Sequence, residues 1–390
     1  MNLRLPLVWG TGLFLLGLLL AGHWPSLWFL AAAALALTLQ TLSLRHPRTS
    51  LCAAAFFWLM LGAGRMSLHR LCPDIAQDPL TTLYQNISDN ARQHAGRLIQ
   101  RLHEQGLNEE PLALTTAMLL GQRSGLSRET RQEFSDAGTA HLLALSGMHL
   151  GVLYGLMHLF FLRWVRPTRW RWHALPLMLL AIWGYALLTG FPVSLVRASV
   201  MLSVTTIGSL AERGVPSLHT LALAALIILL CSPDAVMDVG FQLSFLSVFF
   251  ILTLYLPLQR RYYRLFSGWG MPLRPIGVSL AAQIGTAPLC LYYFHSLPLG
   301  AVIINLLMVP LTTAIIYLGV AALVWPAATL VSMLAAVVRA ELWLIRAWTA
   351  LPHLTMHGIY IPRLMVVLMY ALLVVALLRL HLQLKDDDFA

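Results

Sequence analysis

Ionisable and amide side chains set inside long apolar runs mark where this sequence could do chemistry, because a charge in lipid is costly unless it pairs or lines a cavity. The richest stretch is Gly138-Thr139-Ala140-His141-Leu142-Leu143-Ala144-Leu145-Ser146-Gly147-Met148-His149-Leu150-Gly151. Ser146 and His149 are three residues apart, and a continuous helix would set them on one face. A hydroxyl beside an imidazole is the start of a nucleophile and base pair. Residues i and i+3 of one helix rarely align for that work, so His141 or a histidine from another helix would be required, together with an oxyanion hole and access for water. A metal set of His141, His149 and Asp238 is a further alternative, without ligand spacing to support it. The plainer alternative is structural: the small residues permit close helix contact, and the two histidines donate to backbone carbonyls.

A second stretch, Thr189-Gly190-Phe191-Pro192-Val193-Ser194-Leu195-Val196-Arg197-Ala198, puts an arginine about two turns into an apolar helix with no acid nearby in sequence. A third, Asp238-Val239-Gly240-Phe241-Gln242-Leu243-Ser244-Phe245, starts a helix with a carboxylate and sets Gln242 one turn deeper. Pairing Arg197 with Asp238 would lower the cost of both charges, and the sequence predicts that pair. Gln283 and Thr286 precede Pro288, and Asn305 precedes Pro310. Each amide reads either as a ligand group or as a helix-break device bonded to backbone that the proline releases. Arg339, Glu341 and Arg346 lie in a Trp-rich stretch and suggest a tilted or interfacial helix more than a pore wall.

The elements that must position these residues follow from composition. Of 390 residues, 58% are hydrophobic and 11% charged, against about 25% charged in a soluble domain, which excludes a water-soluble globule. Apolar runs long enough to span a bilayer lie near residues 5–21, 24–44, 51–68, 141–162, 173–188, 193–210, 218–231, 239–256, 276–294, 299–324, 330–351 and 364–380. The expectation is an all-α polytopic integral membrane protein of about 11–12 transmembrane helices with re-entrant or interfacial helices. Several runs are short or interrupted by Gly and Pro, as helices broken around a cavity would be. The first run is read as a span and not as a cleaved leader, since no small-residue cleavage site follows it.

Three segments are expected: N-terminal helices over 1–69, a short extracytoplasmic amphipathic-helix segment over 70–137, and a transmembrane core over 138–390. Within the polar segment, Ile87, Ala91, Leu98, Ile99 and Leu102 recur at helical spacing. Asn108 opens a helix ending at Gly121 that is too short to span, and Ser127 caps another ending before Gly138. The four cysteines, Cys52, Cys72, Cys231 and Cys290, read as small hydrophobes without metal-ligand spacing. No cofactor is expected.

The net charge is +10. With a cytoplasmic N-terminus and twelve crossings, 14 basic and four acidic residues fall on the cytoplasmic face, which accounts for the whole excess. The basic pI is therefore a mark of orientation and carries no argument for nucleic acid.

Read in order, the motifs resemble the ComEC family of competence proteins over roughly residues 112 to 325. They are Met118-Leu-Leu-Gly-Gln-Arg-Ser-Gly-Leu-Ser, Phe134, the stretch Gly138 to Gly151, Thr189-Gly-Phe with Ser194 and Arg197, Asp238 with Gly240-Phe-Gln-Leu-Ser-Phe, Gln283 with Pro288 and Phe294, and Asn305 with Pro310. The resemblance implies a bacterial inner-membrane channel that passes single-stranded DNA into the cytoplasm during natural transformation. It implies that His141, Ser146, Gly147, His149, Gly151, Gly190, Ser194, Arg197, Asp238, Gln242, Ser244, Gln283 and Asn305 line or brace the conduit. A conduit of that kind needs phosphate donors and contacts weak enough for the strand to keep moving.

Long family members carry an outer oligonucleotide-binding-like domain and a nuclease domain with an HxHxDH signature. The polar segment here is too short for the first, and no HxH occurs in the sequence. A non-enzyme is expected, with any nuclease, DNA receptor and ATP-driven cytoplasmic motor as separate partners in the same bilayer. The alternatives are a small-solute or lipid transporter on the same scaffold, or an intramembrane serine hydrolase built on Ser146.

Overall fold

The structure is a computed structural model that describes residues 11–17, 61, 93, 96, 99–104, 106–159, 168–210, 217–259, 270–325, 327–351 and 355–386. Helices dominate, and the chain is a multi-pass membrane protein. Five described helices are long and apolar enough to cross a bilayer: Val239–Gln259, Arg274–Phe294, Ala301–Val324, Ala328–Thr349 and Arg363–Gln383. Shorter apolar helices cover Leu175–Leu188, Val193–Ile207 and Ser217–Cys231. The expected spans at 5–21, 24–44 and 51–68 and most of the amphipathic stretch at 87–102 lie outside the described residues, apart from short helical pieces.

In chain order the helices are α1 (Glu109–Leu120), α2 (Arg128–Asp136), α3 (Ala140–Leu143), α4 (Gly147–His158), α5 (Thr168–Leu188), α6 (Val193–Leu210), α7 (Ser217–Cys231), α8 (Val239–Phe250), α9 (Gly270–Phe294), α10 (Ala301–Val324), α11 (Ala328–Thr349) and α12 (Arg363–Asp386). A π-helical turn at Ile251–Tyr255 prolongs α8. Two three-residue strands, β1 (Ser296–Pro298) and β2 (Thr355–His357), pair antiparallel with Leu297 opposite Met356. This ribbon is the one departure from an all-α chain among the described residues, and an alternating pattern three residues long is too brief to read from sequence.

The chain divides into two compact units, one of Met1–Asn90 with Val196–Gln242 and one of Ala91–Leu195 with Leu243–Ala390. In the first, α7 leads into a 3-10 turn at Pro233–Met237, and Thr11 Oγ1 donates to the Ala222 carbonyl at 3.3 Å. In the second, α10 and α11 form the central pair, with α1, α4 and α9 against α10 and with α1 and α2 against α11. Leu114, Met118, Phe134, Leu142, Ile315 and Val338 are 0% exposed in its core. Gly319 on α10 is where α1 comes closest: a Cβ there would lie 2.5 Å from Leu119 Cδ1.

The two short helices of the polar segment form for local reasons. Acidic Glu109 and Glu110 occupy the first turn of α1, where the helix dipole favours them. The helix stops at Gly121, whose φ of +72° suits glycine and whose N–H donates to the Ala117 carbonyl at 3.0 Å. Ser127 Oγ accepts the Thr130 amide at 3.0 Å and starts α2.

Both helices are tied to the end of α11. Arg346 donates to Glu110 and approaches Glu133 at 3.6 Å, while Thr355 Oγ1 donates to the Asp136 carbonyl and His357 lies 3.7 Å from the Asp136 carboxylate. Burial pushes the Glu133 carboxyl above its ordinary range, and the Arg346 charge opposes that shift. Half-exposed ion pairs of this kind contribute about 0.2–1 kcal/mol each. Arg346→Ala is therefore expected to lower the thermal midpoint by a few degrees in a detergent melt, without loss of folded protein.

Candidate functional site

The richest stretch does not form one helix. Ala144, at φ −90° and ψ 133°, and Ser146, at φ −122° and ψ 167°, are extended and separate α3 from α4. This corrects the expectation that Ser146 and His149 share a face of a continuous helix. Ser146 instead occupies the N-cap of α4 and His149 its third position. Ser146 Oγ lies 2.9 Å from His149 Nδ1, which also receives the Ser146 amide at 3.3 Å. An amide donating to Nδ1 leaves the proton of the neutral ring on Nε2. The hydroxyl and imidazole are thus in hydrogen-bond reach, which helix spacing alone argued against, because the chain turns between them.

A break inside an apolar run leaves backbone groups that must find partners. Arg123 Nε donates to the Leu143 carbonyl at 2.9 Å, and Ser194 Oγ donates to the Leu145 carbonyl at 2.6 Å. Tyr185 OH donates to the Leu119 carbonyl at 2.8 Å, at the end of α1. A Cβ at Gly121 would lie 2.7 Å from Leu145 Cδ1, so the α1 terminus abuts the break. Arg123 and Tyr185 were not among the expected site residues. Arg123 stands in the polar segment, where a bond to a membrane carbonyl has no sequence signature, and burial holds its guanidinium below the ordinary range.

Glycines on α4 behave unlike packing glycines. Gly147 opens the helix, and a Cβ at Gly151 or Gly155 would meet nothing within 4 Å among the described residues. A helical glycine that permits no close contact sacrifices about 1 kcal/mol of helix propensity and leaves a low, open face. Close helix contact is therefore not what Gly151 provides. His141, on α3, is exposed, whereas His149 is 0% exposed.

The Thr189 to Ala198 stretch turns between α5 and α6. Gly190 has φ +79° and Phe191 φ +52°, a conformation uncommon for a non-glycine residue. Thr189 Oγ1 donates to the Tyr185 carbonyl at 2.9 Å. Ser194 stands in the first turn of α6, so the N-terminus of α6 as well as that of α4 comes to the break. Helix N-termini carry partial positive charge.

In the first unit, Arg197 is the fifth residue of α6, little more than one turn in and shallower than the two turns expected, and 6% exposed. Asp238 Oδ1 accepts the Phe241 amide at 2.8 Å and caps α8, while Gln242 Nε2 donates to the Val236 carbonyl at 2.9 Å. The expected Arg197–Asp238 ion pair is not found among the described residues: the carboxylate is engaged by the helix it starts.

In the second unit, Ser244 offers its carbonyl to Ser247 Oγ at 2.9 Å. Gln283 Nε2 donates to the Pro298 carbonyl at 2.7 Å, across to β1 and not to backbone released by Pro288. Asn305 is half-buried on α10, and its Oδ1 has no hydrogen-bond partner among the described residues, so it does not serve the break at Pro310 either. No group of three or more His, Cys, Asp or Glu side chains gathers among the described residues.

A family model described as Competence protein matches residues 118–383. ComE operon protein 3 of Bacillus subtilis (strain 168) is 33% identical over 217 residues, covering 55% of this chain and 26% of that protein. Recombination protein 2 of Haemophilus influenzae is 28% identical over 245 residues, 58% of this chain and 30% of that protein. The uncharacterised protein YcaI of Escherichia coli (strain K12) is 28% identical over 219 residues, 52% and 28%. The matched region thus spans about a quarter to a third of the length of these relatives. No solved structure matches the chain.

Proposed function

The chain belongs to the competence protein family, and from that premise we propose that it passes single-stranded DNA across the bacterial inner membrane during natural transformation. The observation that carries this reading is the break between α3 and α4. There the backbone leaves the helix at Ala144 and Ser146, two helix N-termini meet, and Ser146, His149 and Ser194 gather, while Gly151 and Gly155 leave a separate low face further along α4. Discontinuous helices inside a membrane protein present positive dipole ends to anionic groups. Hydroxyls and helix-end amides on such a path can contact phosphates without holding them, and His149, 0% exposed, braces the turn through Ser146.

The proposed orientation has a cytoplasmic N-terminus. It is supported by the count of basic residues in the loops, and the contacts of Arg346, Thr355 and His357 with residues Glu110 to Asp136 are those expected of two loops on a common face. No catalysis is assigned to the chain in this reading, which leaves strand degradation, DNA capture and any ATP-driven pulling to separate proteins.

The test is transformation of a competent deletion strain. Deletion should abolish uptake, wild type should restore it, and His149→Ala and Ser194→Ala should restore it poorly at equal protein level. Undiminished transformation in the deletion strain would remove the assignment. Full rescue by both variants would move the path away from the break.

A further inference from the structure

Glu341 has no part in the conduit reading, yet it is the most costly side chain in the second unit to bury. It lies on α11 and is 0% exposed. Its Oε1 accepts a hydrogen bond of 2.8 Å from Thr312 Oγ1 on α10, and Thr312 is also 0% exposed. Its Oε2 is buried without a hydrogen-bond partner among the described residues. Leu342, Ile345, Val338 and Ile315 make up the surrounding core.

No cation stands opposite among the described residues. Helix α10 carries no Asp, Glu, Lys, Arg or His. Helix α1 brings Glu109 and Glu110, and α2 turns Glu133 toward α11. On α11 itself Arg346 is engaged by Glu110 and Glu133, and Arg339 is exposed. A bare carboxylate held by one hydroxyl in such surroundings is strongly disfavoured. The sequence suggested a tilted or interfacial helix here, and the structure buries the carboxyl between two helices long and apolar enough to span.

The geometry points to a proton-binding site at Glu341 Oε2 between α10 and α11. Thr312 fixes the other oxygen and so fixes the direction in which Oε2 faces. With the proton bound, the helix interface is neutral. Without it, α10 and α11 enclose an uncompensated charge. The site is independent of whether DNA is the cargo.

Infrared difference spectroscopy on the full chain in lipid vesicles tests this, taking wild type minus Glu341→Gln at neutral pH with and without sodium chloride. A protonated carboxyl C=O stretch in both media identifies the proton. A carboxylic C=O stretch that gives way to a carboxylate signal when sodium is added means that the carboxyl is open to other ions and overturns a proton site. A carboxylate signal already present in sodium-free medium means a bare anion and overturns the site. Should Glu341→Gln not fold, Thr312→Val serves instead. It should shift the Glu341 carbonyl band without removing it, and an unmoved spectrum would overturn the Thr312 contact on which the site depends.

Discussion

Gly138→Val will leave little folded protein. The residue ends α2 with φ +75°, and a Cβ there would lie 2.6 Å from both Ala301 Cβ and Pro298 Cγ. A left-handed conformation costs a side-chain-bearing residue about 1–2 kcal/mol, and overpacking costs about 1–3 kcal/mol more. A β-branched residue stands above the low end of both ranges. The neighbours cannot retreat cheaply. Ala301 begins α10, and the Pro298 carbonyl is held by Gln283, while Thr139, next in sequence, donates both its amide and its hydroxyl to the Phe134 carbonyl. The measurement is the monodisperse fraction after solubilisation together with the thermal midpoint. Gly138→Ala should show the same effect at smaller size, and wild-type behaviour of both variants would contradict the packing described.

Much of this architecture was legible in the sequence because its determinants are local or compositional. Gly121 and Gly138 read as helix stops, and both adopt positive φ. Ser127 read as a cap and accepts the Thr130 amide. The apolar runs from 239 onward read as spans, and five helices answer to them. The chemistry of the break was less legible. Leu142 to Leu145 is as apolar as any continuous helix, and no proline marks the place where it stops. Its cause lies in distant residues: Arg123 and Ser194 take the carbonyls that a helix would have used, and pairings 20 and 49 residues apart leave no periodicity to read.

The expected Arg197–Asp238 pair went astray for a related reason. Asp238 was expected to seek Arg197, yet a carboxylate at a helix start finds an amide three residues on at less cost than a distant cation. Glu341, in a Trp-rich stretch that suggested a tilted or interfacial helix, is held away from water. The structure gives it Thr312, 29 residues away, and no water-facing surface.

Gly151→Trp carries the second large effect, and it separates folding from passage. With nothing among the described residues within 4 Å of an added Cβ, the new side chain starts without a clash, and replacing a helical glycine removes a propensity penalty of about 1 kcal/mol. Folded yield should therefore equal or exceed wild type. If the glycine face of α4 borders the path of the strand, the same indole narrows it, and transformation should fall on the order of tenfold or more. Leu372→Trp on α12 is the control, since Leu372 is 70% exposed on a helix with no buried residues in its apolar stretch. It should leave transformation unchanged. Equal loss in both variants would mean that bulk on the surface harms the protein generally and that α4 has no special place.

The most direct measurement of the central claim is cross-linking of a strand in transit. A single cysteine is placed at Gly151 in a chain otherwise free of cysteine, and single-stranded DNA carrying thiol-reactive phosphates is stalled by a bulky trailing end. The expected result is a covalent adduct at position 151, absent when the cysteine is at Leu372 and absent when the strand is not admitted. Continued uptake with no adduct at 151, or with equal labelling at 151 and 372, would contradict a conduit along α4.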